Sequence, residues 1–184
     1  MKELSLNILD VTENSVKAGA TLTQILLDET EDTLRITIKD DGCGMSAEVV
    51  RSVTDPFYTT RTTRKVGLGV PLLKLAAEQT GCSMSIESKE KDKFPDSHGT
   101  TVTAEFNKKH IDFTPLGDIV STVTTLIQGH PDTDFYFEHK YGDKSVTLDT
   151  RELRMALGDV LLSEYEVIKW IEDSLKEEYQ SLYL

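Results

Sequence analysis

One run of alternating residues ends in an acidic side chain at the mouth of a glycine turn. Leu34, Ile36 and Ile38 alternate with polar residues, which is typical of a strand with one buried face, and Asp40 continues the apolar row. The segment 40–44, Asp-Asp-Gly-Cys-Gly, then predicts a turn. A carboxylate on a buried face is costly unless donors hydrogen-bond to it. The pattern therefore has two interpretations. Either a bound ligand donates a hydrogen bond to the buried Asp40 carboxylate, or the segment is a plain turn in which Asp40 lies outside and caps the local backbone.

The first helix is predicted from Leu4 to Ala18, and one of its faces is polar. At 100° per residue, four polar side chains fall within an arc of about 100°, and these are Asp10, Glu13, Asn14 and Lys17. Such a face suits a metal-bound triphosphate, because an amide oxygen can bind Mg²⁺, an ammonium can bind phosphate and a carboxylate can orient a water. For this helix alone, the alternative interpretation is an ordinary solvated face.

A second glycine loop precedes another predicted helix, which runs from about Val70 to Gln79. The backbone N–H groups of the Gly67-Leu68-Gly69 segment, together with the helix dipole, can face an anion there. Three cations lie shortly before the loop, as expected of a phosphate-binding segment in an otherwise acidic chain: Arg61, Arg64 and Lys65. The loop lacks the third glycine of the dinucleotide-binding fingerprint and the Gly-Lys-Ser/Thr ending of the P-loop, which excludes both of those folds.

Composition narrows the class of partner. The chain has 184 residues, of which 20 are basic and 32 acidic, for a net charge of −12. Duplex nucleic acid requires a broad cationic surface, so we expect no nucleic-acid partner. We also expect no membrane partner, because no apolar run reaches membrane-spanning length and the first residues do not resemble a signal peptide. Cys43 and Cys82 form no CxxC pair, which predicts a cytoplasmic protein without a structural zinc site.

Five segments, taken in order, resemble the boxes of the GHKL superfamily, which includes gyrases, heat-shock chaperones, histidine kinases and mismatch-repair ATPases. Segment 10–15 is similar to the N box, segment 40–45 to the first glycine box and segment 55–61 to the kinase F box. Segment 67–70 is similar to the second glycine box, and segment 98–101 to the final glycine-threonine segment. The resemblance covers residues 1–107 and is closest in style to histidine-kinase catalytic domains and anti-sigma-type kinases.

This resemblance implies that the protein binds ATP and Mg²⁺ in a Bergerat-type ATP-binding fold. Asn14 is then the Mg²⁺ ligand and Lys17 a phosphate contact, while Asp40 reads the adenine with support from Thr100. Asp10 takes the place of the catalytic acidic residue. The other nucleotide-binding residues that the resemblance implies are Gly42, Gly44, Met45, Phe57, Thr59, Thr60, Arg61, Gly67, Leu68, Gly69 and Val70.

Two features of the sequence shape the expected activity. Hydrolytic members of the superfamily carry Glu four residues before the asparagine, whereas Asp10 is one methylene shorter, so we expect slow hydrolysis. All four histidines follow the N box, so we expect any phosphoacceptor to be on a separate protein. Two functions stay open: an ATPase or protein kinase acting on a protein partner, and a non-catalytic module that senses ATP and switches a partner.

The predicted fold is an α/β (α+β) two-layer sandwich, in which a mixed, mainly antiparallel sheet is covered on one face by helices. Residues 1–107 are predicted to form the ATP-binding domain and residues 108–184 a small C-terminal α+β extension of unknown role, although the two parts can share a core. The strands of the first part are predicted at 21–27, 34–39, 83–88 and 100–106, and a short helix at 46–53. The oligomeric state stays open.

In the extension, Thr114-Pro115 predicts the start of a helix that ends near Gly129. A hairpin is expected at 135–148, followed by two helices, and Ser163 and Glu166 have the spacing of a capping box for the last one. Phe135, Phe137 and Trp170 are expected in the core. Val167, Ile171 and Leu175 form an apolar stripe that is expected to pack on the first part of the chain, the alternative being a contact with a second copy or a partner protein.

Overall fold

The computed structural model describes residues 3–55 and 68–184, and this described part forms six helices and six strands. The helices are α1 (Leu4–Lys17), α2 (Ala47–Val53), α3 (Gly69–Gln79), α4 (Ile119–Gly129), α5 (Thr150–Leu157) and α6 (Tyr165–Leu182). The strands are β1 (Leu22–Glu29), β2 (Thr33–Asp40), β3 (Met84–Lys89), β4 (Gly99–Asn107), β5 (Asp134–Tyr141) and β6 (Lys144–Asp149).

The strands form one mixed sheet in the order β3-β4-β2-β1-β5-β6. Four of its strand pairs are antiparallel, and the fifth, β1 with β5, is parallel. This arrangement confirms the predicted mixed, mainly antiparallel sheet. Parallel neighbours require a long crossover connection, and here the described part of the chain between β1 and β5 contains three strands and three helices.

One face of the sheet is apolar and is covered by helices, as predicted. Strand alternation turns residues such as Ile25, Ile38, Phe106 and Phe137 towards this face, where each is at most 1% exposed. Helix α1 packs between α3 and α4, and α6 packs on α4 and β6. A fully buried Ile or Phe side chain contributes about 1.5–3 kcal/mol, so the alternation that defines the strands also provides the driving force that holds the helices on them.

The part of the chain after residue 107 continues the same sheet and the same core. β5 pairs with β1 from Leu22↔Asp134 onwards. At the other end of the core, the free N–H groups of Leu4 and Ser5 donate to the carbonyls of Pro115 and Leu116 at 2.9 and 2.8 Å. A division into domains at residue 107 stays a prediction, because pairing within one sheet does not show whether residues 1–107 fold alone.

The predicted start of α4 at Thr114-Pro115 is wrong. The helix begins at Ile119, where the Asp118 carboxylate caps it by accepting a hydrogen bond from the Ser121 N–H at 2.9 Å. The preceding carbonyls of Pro115 and Leu116 are used by the first turn of α1. A contact with residues more than 100 positions earlier therefore delays this helix by about one turn.

The predicted capping box of α6 and the predicted burial of Trp170 are also wrong. Helix α6 starts one residue later than the box requires, with Glu164 at the N-cap position and no side-chain cap. Val167, Ile171 and Leu175 do form the buried stripe, and Phe135 and Phe137 are in the core. Trp170 is 58% exposed, because at 100° per residue it lies beside that stripe rather than on it.

A buried polar cluster ties the C-terminal turn of α6 to the sheet. Glu29 at the end of β1 accepts hydrogen bonds from His139 Nε2 at 2.7 Å and from the Tyr183 hydroxyl at 2.9 Å. Lys108 Nζ lies 2.7 Å from the same carboxylate, and the second ring nitrogen of His139 meets the Tyr179 hydroxyl at 2.7 Å. Burial alone would raise the pKa of Glu29, but its three hydrogen-bond partners outweigh that effect and lower the pKa to about 2.

We predict that this cluster makes stability depend on pH in the acidic range. Because the folded-state pKa of Glu29 lies below its ordinary value of 4.5, the stabilisation is fully present above that pH and is lost as the pH falls towards 2. The difference corresponds to about 3 kcal/mol. Glu29→Gln should lower the free energy of unfolding by about this amount at pH 7 and flatten its pH dependence, as measured by urea unfolding.

The control for this prediction is Glu105→Gln, which breaks the exposed Arg35–Glu105 ion pair. An exposed pair contributes about 0–1 kcal/mol, so this variant should unfold almost as the unchanged protein does. Equal losses of stability in Glu29→Gln and Glu105→Gln would contradict the assignment.

Two glycines let the turn after β2 approach the β3–β4 connection. Gly44 has φ +72°, and a Cβ there would lie 1.9 Å from the carbonyl oxygen of Lys89. Gly99 has φ +133°, and its Cβ would lie 2.0 Å from the carbonyl oxygen of Asp40. The Lys91 N–H donates to the Cys43 carbonyl at 2.9 Å across the same junction. The glycines are therefore required by the closeness of two backbone segments as well as by their dihedral angles.

Gly44→Ala and Gly81→Ala form a matched pair that separates these two requirements. Gly81 has φ +79°, but no described atom lies within 4 Å of a Cβ there. Gly81→Ala should lower the free energy of unfolding by about 1–2 kcal/mol through the left-handed backbone alone. Gly44→Ala should lower the free energy of unfolding by at least about 3 kcal/mol, because the Lys89 backbone must move as well. Similar losses in urea unfolding would show that the close approach contributes nothing.

Candidate functional site

The first glycine turn and helix α1 enclose a cavity of about 720 Å³. It opens between α1, the end of β2, α2 and the β3–β4 hairpin. Asn14 and Asp40 both line it, although they come from different elements and lie 26 residues apart in the chain. The lining residues are Val11, Asn14, Ser15, Lys17, Ala18, Asp40, Cys43, Gly44, Met45, Val49, Val53, Val70, Ile86, Thr100 and Val102.

Asp40 is the buried polar centre of this cavity, with 9% of its surface exposed. Its Oδ2 accepts a hydrogen bond from the Ser15 hydroxyl at 2.7 Å, and its Oδ1 accepts from the N–H groups of Gly42 at 2.9 Å and Thr100 at 3.2 Å. These donors offset the cost of burying the carboxylate. A carboxylate has about four acceptor sites, so Asp40 can accept one more hydrogen bond from a ligand in the cavity.

Helix α1 presents only part of its predicted polar face to the cavity. Asn14 and Lys17 line the cavity, whereas Glu13 meets His130 Nε2 at 2.8 Å, at the C-terminal end of α4. The polar arc is therefore divided between a ligand-sized space and a contact with the C-terminal part of the chain.

Asp10 lies where α1 meets α3, beside the described lining of the cavity. A Cβ at Gly69 would be 2.6 Å from the Asp10 Cβ, so the glycine at the start of α3 leaves room for this side chain. Burial raises the pKa of Asp10, while the charge of Lys17 lowers it and that of Glu13 raises it further. The net upward shift favours a carboxylate that can hold a proton, which is a property of many general bases.

Gly42 of the first glycine box lies close to α1, and Gly69 of the second begins α3. Gly42 is buried, and a Cβ there would lie 2.9 Å from the Ala18 Cβ and 3.1 Å from Asp40 Oδ1. At the start of α3, Leu68 is the N-cap and provides no side-chain cap, so the first N–H groups of the helix can face an anion. Val70 lines the cavity. Phe57, Thr59, Thr60, Arg61 and Gly67 lie outside the described residues.

Two serines that were not predicted as site residues support this site. Ser15 donates to Asp40, as described above, and is itself 4% exposed. Ser88 is 2.8 Å from the Thr100 hydroxyl and accepts a hydrogen bond from the Met45 N–H at 2.8 Å. Ser15 follows Asn14 directly in the N box, which was the available sequence signal. Ser88 gave no such signal, because only the pairing of β3 with β4 brings it to Thr100.

Comparison with known proteins shows which sequence family the chain matches. The sequence family described as histidine kinase-, DNA gyrase B- and HSP90-like ATPase matches residues 2–110. A putative sensor protein of Shewanella frigidimarina is 28% identical over 85 residues, which is 44% of this chain and 13% of that protein. Sporulation kinase A of Bacillus subtilis is 30% identical over 70 residues, or 38% of this chain and 11% of that protein. The chain thus spans about an eighth of each relative.

A solved structure extends the similarity to the C-terminal part. The ATPase domain of Aquifex aeolicus MutL, complexed with ADP, superposes with a TM-score of 0.54 at 13% identity. The match covers 96% of this chain and 70% of that one, so it shows a common fold that includes α4 to α6. Within residues 3–55 and 68–184, no helix is long and apolar enough to cross a lipid bilayer.

The family match covers more than half of the chain, and the cavity lies between the N box and the glycine boxes of that same segment. The chain therefore belongs to the histidine kinase-, DNA gyrase B- and HSP90-like ATPase family.

Proposed function

We propose that the chain binds Mg-ATP in the 720 Å³ cavity and either hydrolyses it slowly or transfers its terminal phosphate to a separate cytoplasmic protein. The observation that carries this proposal is that Asn14 and Asp40 both line the same cavity. The free acceptor site of Asp40 suits an adenine amino group. Apolar side chains at Val49, Val53 and Ile86 can cover a flat base.

The residues at the other end of the cavity suit a phosphate-bound magnesium ion. Mg²⁺ commonly takes one or two protein oxygens and completes its six ligands with water and phosphate. Asn14 offers one amide oxygen, and Lys17 brings a positive charge one helical turn away. In the described residues, no group of three or more His, Cys, Asp or Glu side chains could hold a metal ion. The nucleotide would therefore bring the ion into the site.

Asp10 is the residue that we assign to the chemical step. In hydrolysis it would orient a water and accept its proton while the water oxygen bonds to the terminal phosphorus and ADP leaves. In transfer, the hydroxyl or imidazole of a second protein would replace the water. Mg²⁺ would neutralise the charge on the phosphates. The short side chain and the position beside the cavity both favour slow turnover.

A non-catalytic ATP sensor is the second candidate. In that case the protein would change its affinity for a partner because ATP binds one conformation better than the other. Asp10 lies beside the described cavity lining and is not part of it, and this position supports the alternative in which Asp10 takes no part in a reaction. Both candidates require ATP in the cavity, and they differ only in whether Asp10 takes part in a reaction.

We predict that Mg-ATP protects Cys43 from alkylation. Cys43 is exposed and lines the cavity, while Cys82 lies elsewhere and provides an internal control. At about ten times the dissociation constant, ATP leaves about a tenth of the sites free. Iodoacetamide labelling of Cys43, followed by peptide mass spectrometry, should then slow about tenfold while labelling of Cys82 does not change. Equal labelling of Cys43 with and without Mg-ATP would exclude nucleotide from this cavity.

The magnesium assignment is tested by the same labelling assay with a variant of Asn14. Asn14→Ala should weaken Mg-ATP binding by at least about tenfold, which corresponds to about 1.4 kcal/mol. Gln128→Ala removes an amide from an exposed position on α4 and should leave the affinity unchanged. If both variants bind Mg-ATP like the unchanged protein, Asn14 does not hold the ion.

The role of Asp10 is tested by single-turnover hydrolysis of labelled ATP. Loss of a general base lowers a rate by about 10²–10⁴-fold, so we expect Asp10→Asn to be slower by at least about 100-fold. Glu13→Gln changes a carboxylate on the same helix that faces His130, and it should stay near the unchanged rate. Equal, near-background rates for the unchanged protein and Asp10→Asn would favour the sensor.

A further inference from the structure

The corner between α5 and α6, residues 155–170, exposes apolar side chains to solvent. Met155 is 86% exposed and Tyr165 is 75% exposed. The other large apolar residues that are exposed in this segment are Val160, Leu161 and Trp170. Single exposed apolar residues are common on any protein surface, whereas a group of them rimmed by polar residues marks an interaction site. These five side chains, which we call the outer corner, are therefore a candidate contact surface.

Backbone hydrogen bonds keep this corner compact. The Val160 N–H donates to the Leu157 carbonyl at 3.2 Å, and the Glu164 N–H donates to the Leu161 carbonyl at 3.2 Å. The chain therefore folds back twice between the two helices. Leu162, on the inner side of the same segment, is buried in the core. Because the inner side is fixed in the core, the outer side chains stay at the surface.

Negative charge surrounds the outer corner and is not compensated. Each cation of residues 150–170 pairs with a carboxylate outside that segment, and the pairs are Arg151–Asp149 at 2.8 Å, Arg154–Asp134 at 2.7 Å and Lys169–Asp173 at 3.1 Å. Four exposed carboxylates of the segment form no ion pair with any residue of 3–55 or 68–184, and these are Glu152, Asp159, Glu164 and Glu166. Exposed apolar surface and unpaired negative charge thus occur together.

We propose that the outer corner binds a cationic amphipathic segment of another protein. Apolar side chains of the partner would cover Met155, Leu161 and Trp170, while its Lys or Arg side chains would pair with the four carboxylates. None of these residues lines the 720 Å³ cavity. The proposal therefore goes beyond the proposed function and does not depend on it.

The unpaired carboxylates argue against two other occupants. In a two-fold dimer, a second copy would bring the same four negative charges against this face, and like charges oppose association. Anionic lipid headgroups would be repelled in the same way. A cationic segment gains from the apolar side chains and from the carboxylates alike, so it is the occupant that the charges favour.

Trp170 provides the readout, because it is the only tryptophan of the chain and lies in the outer corner. The probe is a synthetic peptide of leucine and lysine with its leucines at helical spacing. Burial of the exposed indole should shift the Trp170 emission to shorter wavelength, and a titration gives the dissociation constant. An unchanged emission at about 1 mM peptide, where only very weak binding escapes detection, would overturn the proposal.

Two quadruple variants test the charges. The first is Glu152→Gln, Asp159→Asn, Glu164→Gln and Glu166→Gln, which should raise the dissociation constant at least about tenfold. The control neutralises four exposed carboxylates of other elements, and it consists of Glu31→Gln, Glu48→Gln, Glu87→Gln and Asp96→Asn. It should stay within about twofold, because salt screens distant charges. Equal weakening in the two variants would show general attraction to an acidic protein and would overturn the proposal.

Two double variants test the apolar part and keep Trp170 as the reporter. Met155→Ser with Leu161→Ser should weaken peptide binding at least about tenfold, because less apolar surface is covered. Leu75→Ser with Ile111→Ser removes two exposed apolar side chains elsewhere and should leave the affinity unchanged. A peptide of lysine alone that binds as tightly as the leucine–lysine peptide would overturn the apolar part of the contact.

Two further measurements address the other occupants. An emission shift on raising the protein concentration alone would assign the outer corner to a second copy. A shift with phosphatidylcholine–phosphatidylglycerol vesicles would assign it to a lipid surface, and either result would overturn the proposal. Thermal unfolding checks that each variant is folded, and Glu166→Gln or Leu161→Ser alone replaces a combined variant that is not.

Discussion

The carboxylate of Asp40 is the point at which three parts of the molecule are joined. It accepts from Ser15 on α1, from Gly42 in the glycine turn and from Thr100 on β4. A buried carboxylate without donors would be costly, and each donor would lose a partner if Asp40 moved. These hydrogen bonds therefore set the distance between the helix with the proposed magnesium ligand and the strand end with the proposed base-reading group.

The C-terminal part of the chain supports the same helix from its other side. His130 contacts Glu13, and the carbonyls of Pro115 and Leu116 accept from the first turn of α1. The Glu29 cluster holds the end of α6 against the sheet. Residues 108–184, whose role the sequence left unknown, thus act at least as a structural support for α1. The family match ends at residue 110, whereas the packed core extends to Leu182.

Local patterns were sufficient to predict the elements that form the site. The strand alternation through Leu34 to Asp40 and the helical spacing of Asn14 and Lys17 depend only on backbone geometry, so their directions could be predicted. The start of α4, the cap of α6 and the partner of Glu13 depend on residues far away in the chain and could not. Trp170 shows the same limit, because an aromatic residue one position away from an apolar stripe gives no signal of its own. The contact of Ser88 with Thr100 depends on strand register, which the spacing of residues within one strand does not reveal.

The parallel pairing of β1 with β5 has a consequence for the newly synthesised chain. Until residue 141 has been made, β1 can pair only with β2, and its other row of N–H and C=O groups stays open. An unpaired apolar edge is a template for pairing with another molecule, and contacts across more than 100 residues form slowly. We therefore expect the incomplete chain to be prone to wrong pairing at the open edge of β1. Pairing with β5 covers this edge.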